Sequence, residues 1–356
     1  MKNILLASTA LVAFAGAAFA EGHTGISFSG SADLGYNDVA GGDNEFGFYS
    51  DLDISAGFAA ELDNGLTAAA SLNLDNLDSG NTDDGKDYSL SLSSETAGLF
   101  YGDTNFAAQT HWSGAGDMES DGFSEADGEV ALRGDVKVGT VDTSISYALI
   151  DSDNVTNTLD DLTQLSIGAE TDLGNVNVKM AYQENTNEGG YTNGDFNKND
   201  VFGLSLGTSF AGADVRLAYA EDNNSDSTGL KVAYPFGPVT ATAYVVSESV
   251  GKDNTGINLS YSSGPLAVAL DIQDDQGTSL TGLEGSYDIG NGIMAYAGYL
   301  TKDAKDDRFY VAGTYDLGSG ASLGMSYAED KDDVDGDETG AGDYQQGTTV
   351  EVSFKF

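Results

Sequence analysis

The sequence predicts an all-β protein, a transmembrane up-and-down antiparallel β-barrel of 16 to 20 strands. Three observations predict it. Apolar residues recur at every second position along nearly the whole chain, which places one set of side chains on each face of a strand. Tight glycine-containing turns alternate with long acidic loops, so turns gather at one end of the strands and loops at the other. Tyrosines fall in two registers, one just before the loops and one just before the turns.

Composition agrees. The 356 residues include 47 Gly but 3 Pro, a balance that disfavours helical folds and proline-rich disorder alike. A mean hydropathy of -0.24 leaves no room for a bundle of membrane-spanning helices. With no cysteine, a disulfide scaffold, a thiolate zinc site and a cysteine nucleophile are excluded. His23 and His111 are the only histidines, and most redox and hydrolytic chemistry becomes a poor fit. Acidic residues number 58 against 14 Lys and Arg, for a formal charge of -44. Such a surface repels phosphate backbones, so nucleic acid is not an expected partner and cations are.

Residues 1–20 read as a signal peptide: Lys2 is the basic start, Ile4 to Phe14 the apolar stretch, and Ala18-Phe19-Ala20 the small-residue cleavage signal. The apolar stretch is shorter than the ~20 residues a spanning helix needs. Residues 21–356 are then one exported barrel.

The first strand sets Ile26, Phe28, Ala32, Leu34 and Tyr36 on one face, with Ser27, Ser29, Ser31 and Asp33 on the other. The next sets Phe46, Phe48, Leu52, Ile54, Ala56, Phe58, Ala60 and Leu62 against Asp51, Asp53, Ser55 and Glu61. An Asp63-Asn64-Gly65 turn closes the hairpin. Later turns include Gly139-Thr140, Phe210-Ala211-Gly212, Asp288-Ile289-Gly290-Asn291 and Asp316 to Gly320; loops include Asp75 to Asp87, Asp151 to Asp161, Gln183 to Asp200, Glu221 to Thr228 and Glu329 to Gln346. Nine hairpins and a strand at each end make about 20 strands. The facing of Val239 to Val246 and of Gly292 to Tyr299 is ambiguous by alternation.

Tyr147, Tyr182, Tyr219, Tyr299 and Tyr327 precede loops; Tyr234, Tyr261, Tyr287 and Tyr315 precede turns. Closing the meander makes two aromatic rings. The stretch from Ala321 to Tyr327 rises roughly 23 Å at ~3.3 Å per residue, close to the ~25 Å apolar band of outer-membrane barrels, whose girdles are aromatic. A soluble β-sandwich accounts for the alternation but not for two tyrosine registers tied to loop type. Lipid offers no hydrogen bonds, so the sheet must close on itself. Its polar faces then call for a wet interior.

The third loop departs from the pattern. Asp103 to Glu129 lacks strand alternation and carries His111, the sole tryptophan Trp112, and Asp117, Glu119, Asp121, Glu125, Asp127 and Glu129. A long loop of this kind is usually functional or disordered. The strand Leu99-Phe100-Tyr101-Gly102 running into Asp103 and this loop resembles the general-diffusion porins of Gram-negative bacteria, especially the alphaproteobacterial type. The end, Val350-Glu351-Val352-Ser353-Phe354-Lys355-Phe356, is similar to that family's closing strand.

The resemblance implies an outer-membrane homotrimer, 16 strands per barrel, and a third loop folded inward to narrow each lumen. It implies lipid and lipopolysaccharide as surroundings, and terminal Phe356 as the signal read by the outer-membrane assembly machinery. It also implies basic residues on early strands facing the loop's carboxylates. Here those strands present Asp33, Asp51, Asp53 and Glu61 instead, and the nearest inward cations are Arg133 and Lys137, then Lys179, Arg216 and Lys231. The expected constriction is therefore Asp103, Asp117, Glu119, Asp121, Glu125 and Asp127, with Asp33, Asp51, Asp53, Arg133, Lys137 and Arg216 on the wall. An acid-lined lumen favours cations, and charged rings with pore diameter set the selectivity.

The expected function is passive diffusion of ions and small hydrophilic solutes; a solute-specific channel and a structural or adhesive barrel with ligand-binding loops are the alternatives. No cofactor is expected. Asp333-Val334-Asp335-Gly336-Asp337 hints at Ca²⁺, but the twelve-residue calcium loop is absent; the acidic loops could bind Ca²⁺ loosely, bridging lipopolysaccharide phosphates, or simply be solvated. Gly203-Leu204-Ser205-Leu206-Gly207 matches the G-x-S-x-G of hydrolases, yet lies inside an alternating strand where that motif needs a strand-to-helix elbow. His111 and Trp112 are expected to pack the loop against the wall.

Overall fold

A computed structural model describes residues 25–39, 47–74, 86–125, 130–150, 161–186, 196–329 and 344–356. The signal peptide, Asp127 and Asp333 to Asp337 lie outside them. The strands are β1 (Gly25–Asn37), β2 (Gly47–Glu61), β3 (Thr67–Leu74), β4 (Lys86–Ser93), β5 (Ala97–Gly102), β6 (Val130–Val138), β7 (Val141–Ile150), β8 (Asp161–Leu173), β9 (Val176–Gln183) and β10 (Val201–Phe210). They continue as β11 (Ala213–Asp222), β12 (Ser225–Phe236), β13 (Val239–Glu248), β14 (Asn254–Ser263), β15 (Leu266–Asp275), β16 (Thr278–Gly290), β17 (Ile293–Lys302), β18 (Arg308–Gly318), β19 (Ala321–Glu329) and β20 (Gly347–Lys355). Among the described residues one helix, α1 (Ala107–His111), lies between β5 and β6.

Each strand pairs antiparallel with the next, and β20 pairs back onto β1 from Ser31↔Lys355 to Asn37↔Thr349. The sheet is a closed 20-stranded barrel, so the resemblance's expectation of 16 strands is corrected and the hairpin count holds. Closure leaves no unpaired edge, as a strand in lipid requires.

Alternation sorts the side chains as the sequence requires. Phe28, Phe48, Leu99, Ile145, Leu217, Ile257, Val311 and Met325 are exposed on one face. Serines, glycines, aspartates and asparagines occupy the other. Exposed leucines and phenylalanines in such number fit a lipid-facing surface. In β13 and β17 the apolar face holds Val245 and Tyr299, while Val246 and Leu300 are buried on the opposite face.

Glu221 to Thr228, expected as a long loop, is instead a continuous hairpin in which Asp222 pairs with Ser225 and Tyr219 with Thr228. The Asp222 carboxylate makes it possible: its Oδ1 accepts from the Ser225 amide and hydroxyl at 3.1 and 2.7 Å. A second two-residue turn at this end, Gln276-Gly277, has φ of 49° and 78°, the left-handed pair a tight hairpin needs. Strict alternation of short turns and long loops is therefore corrected.

Candidate functional site

The segment after β5 runs over the polar face of the sheet rather than away from it. Gly102, at φ 108°, turns the chain, and Asp103 donates its amide to the Tyr88 carbonyl at 2.8 Å. Helix α1 follows with Phe106 at its N-cap and no side-chain cap. A helix start leaves amides without intrahelical partners. Here the wall supplies acceptors: Ala107 and Ala108 donate to Ser146 Oγ and Ser166 Oγ, each at 2.8 Å. The Ala107 carbonyl fills the space above Gly168, where any β-carbon would clash.

Arg133 of β6 fastens the same turn. Buried to 7% exposure, it donates to the Asn105 carbonyl at 2.7 Å, to Thr110 Oγ1 at 3.3 Å and to Asp135 at 3.0 Å, with its guanidinium 4.6 Å from the Phe100 ring centroid. His111 Nε2 lies 2.8 Å from Ser144 Oγ. Burial pushes the His111 imidazole below its ordinary pKa; Glu170 and Asp135 pull it back up, and Lys179 and Arg133 push it further down.

Beyond α1 the segment crosses strand after strand. Trp112 lies over Gly203, where a β-carbon would overlap the ring, and its Nε1 donates to Asp121 Oδ2 at 3.0 Å. The Ala115 carbonyl fills the space above Gly229, and Gly116 sits on the Tyr244 ring. Ala115 and Met118 pack against Val246, Ala218 and Ala220, which explains the apolar residue on the polar face of β13. The return passes Ser120, bonded to Ser227 at 3.0 Å, Phe123, packed on Ala181 and Val201, and Ser124, bonded to Gln183 at 2.7 Å.

The expected acidic residues fall in different surroundings. Asp117, Glu119 and Asp275 of β15 bring carboxylate oxygens within 4.8 Å of one another. Glu119 also accepts from Asn254 Nδ2 at 2.9 Å. Asp121 holds Trp112, while Asp103 and Glu125 are half-buried at the two feet of the segment. On the wall, Asp33 and Asp51 are directly opposed across β1 and β2, and Asp53 accepts from Ser31 at 3.3 Å. Sequence reasoning did not single out Asp275, Glu284 or Glu351, which share this polar face.

The cations are arranged asymmetrically. Lys137 pairs with Asp142 at 2.9 Å near the β6–β7 turn, and Lys179 with Glu170 at 3.2 Å, reaching Ser113 at 3.1 Å. Arg216 and Lys231 are direct cross-strand neighbours, and Arg216 donates to Ser205 Oγ at 2.9 Å. Ser205 is thus engaged with arginine while His111 binds Ser144, so among the described residues the G-x-S-x-G stretch forms no serine–histidine pair. Its first glycine makes room for Trp112.

The tyrosines Tyr147, Tyr182, Tyr219, Tyr234, Tyr261, Tyr287, Tyr299, Tyr315 and Tyr327 all lie on the apolar face, half-buried or exposed. Phe356 is exposed beside Gly30, exchanging backbone hydrogen bonds with it at 2.8 and 3.0 Å.

A family model for Gram-negative porins matches residues 7–337. The chain belongs to the Gram-negative porin family. This porin is accordingly an outer-membrane protein whose barrel serves diffusion across that membrane. Among solved structures it is similar to mutants of a porin from Rhodopseudomonas blastica: one at 16% identity and a TM-score of 0.46, another at 17% and 0.45, each match covering 94% of this chain and 100% of the other. No curated protein matches the sequence.

Proposed function

We propose that this porin is a water-filled, cation-preferring channel for ions and small hydrophilic solutes, narrowed by segment 103–129 folded into its lumen. The observation that carries this is the seating of residues 104–124 on the polar face from β6 to β14 through serine, glycine and asparagine positions. That face is the one whose polar groups need water. A segment laid over it reduces the cross-section and presents its own carboxylates to the remaining space.

Asp117 and Glu119 beside Asp275 concentrate negative charge at the segment's tip, and Asp33, Asp51 and Asp53 add it on β1 and β2. Carboxylates in a narrow passage act across it because the Debye length is ~8 Å at physiological salt. Arg216 and Lys231 lie on β11 and β12, one inward position along from Ala218 and Gly229 on which the segment rests, so the positive side of the passage is on the loop's own wall and not on the early strands. Arg133 and Lys137 contribute from β6 only what Asp135 and Asp142 leave unscreened.

The channel needs no cofactor and performs no catalysis. Loose Ca²⁺ association with the acidic loops, a homotrimeric assembly, contact with lipopolysaccharide and reading of Phe356 by the assembly machinery belong to the same proposal, and rest on the family resemblance and the charge. The test is the reversal potential across a planar bilayer under a KCl gradient: the sign must report cation preference. A potential at zero or of opposite sign rejects that preference.

A further inference from the structure

Register places Glu284, Gly298 and Tyr310 in one row across β16, β17 and β18. Because Gly298 has no side chain, the Tyr310 ring lies over its backbone, and the phenol donates to Glu284 Oε1. Tyr49, Gly35 and Glu351 repeat this arrangement across β2, β1 and β20, with the Tyr49 hydroxyl donating to Glu351 at 2.7 Å. Filling a glycine gap with a flat ring accounts for both. It does not account for what is added at Tyr310 alone.

There, Tyr344 leans on Tyr310 with ring centroids 4.7 Å apart and planes inclined at 41°. Tyr296, on the same polar face of β17, completes the group. Burial first, then the nearby Tyr296 and Glu284, push the Tyr344 phenol above its ordinary pKa. All three rings are half-buried, so each keeps surface open to the polar side.

We propose that Tyr296, Tyr310 and Tyr344 with Glu284 form a docking subsite for an organic ammonium ion; this deepens the cation-preferring channel and rests on it. An ammonium over a tyrosine face is attracted by the ring quadrupole, the chemistry by which aromatic cages hold quaternary ammonium groups. Donation of the Tyr310 hydroxyl to a carboxylate makes its ring richer in electrons and the attraction stronger. The Glu284 carboxylate, at the hydroxyl end of the Tyr310 ring, supplies the charge, within a chain of formal charge -44. Inorganic cations, more strongly hydrated, gain less from the rings.

The experiment is potassium current through single channels in planar bilayers with choline added, each variant normalised to its own open conductance. Choline reduces the wild-type current saturably. Its half-blocking concentration rises by about fivefold or more in Tyr344→Leu and Glu284→Gln, as loss of one cation–π or charge contact implies, and stays within about twofold in Tyr344→Phe and Tyr49→Leu. A conducting channel without choline block overturns the subsite alone, as does an equal shift in Tyr49→Leu. Block by glucose with the same variant dependence assigns the rings to sugars and overturns it too. A protein that never conducts overturns the channel and the subsite together.

Discussion

The indole of Trp112 lies over Gly203 of β10, in the space a β-carbon would occupy. Gly203 has no special backbone angle to need glycine; it is there for the ring. Trp112 is also tied to Asp121 and lies with its ring centroid 5.4 Å from that of Phe123, the planes inclined at 55°, so one glycine on the wall seats both limbs of the segment. Gly203→Val is expected to lift Trp112 and enlarge the passage. Its single-channel conductance should exceed the wild type's; equal conductance and equal noise would show that the ring does not hold the segment in place.

Protonation of His111 should loosen the same segment. The docked imidazole has a lowered pKa, so docking favours the neutral form. That contribution is complete above the ordinary value of about 6.5 and falls away as pH drops below it, because the released histidine takes up a proton that the buried one resists. Current fluctuations are expected to grow as the bath is acidified through this window. In His111→Gln, which cannot titrate, the step should vanish; if it persists unchanged, another group is responsible.

Ser146 and Ser166 replace the cap that α1 lacks. Changing either to Ala leaves a buried amide without its acceptor, at a cost of about 1–3 kcal/mol each. The double variant should expose the segment to protease and speed amide exchange at Ala107 and Ala108, with the barrel strands unaffected. Unaltered exchange would mean that these two bonds do not hold the helix.

Neutralising Asp117, Glu119 and Asp275 together, as Asn and Gln, keeps their shape and removes their charge. Cation preference measured by reversal potential should drop, and drop more at low salt, where screening is weaker. Asp33→Asn with Asp51→Asn tests the facing wall separately. A preference indifferent to both sets would place selectivity elsewhere in the lumen.

Much of the barrel was legible because the period-two pattern of strands such as β1 and β2 states both faces outright. What escaped the sequence depended on partners far along the chain. Val246 and Leu300 blurred the facing of β13 and β17, since burial on the polar side, for Val246 beneath Ala115 and Met118, gives an apolar residue to the wrong alternation. The polar run from Glu221 to Thr228 looked like a loop because only the closed turn lets Asp222 bind Ser225. Cross-strand rows such as Glu284, Gly298 and Tyr310 are invisible without register, which also hid Asp275 from the acidic set. The long segment itself was recognisable by its missing alternation, though its landing positions were not: Gly168, Gly203 and Gly229 read as ordinary strand glycines.

The most direct measurement is single-channel recording of the purified protein beside a variant whose segment 104–124 is replaced by a short glycine–serine linker. Stepwise, ohmic openings in the wild type and larger, less selective ones in the variant are the expected result. Silent bilayers, or identical steps from both proteins, would contradict a water-filled barrel narrowed by that segment.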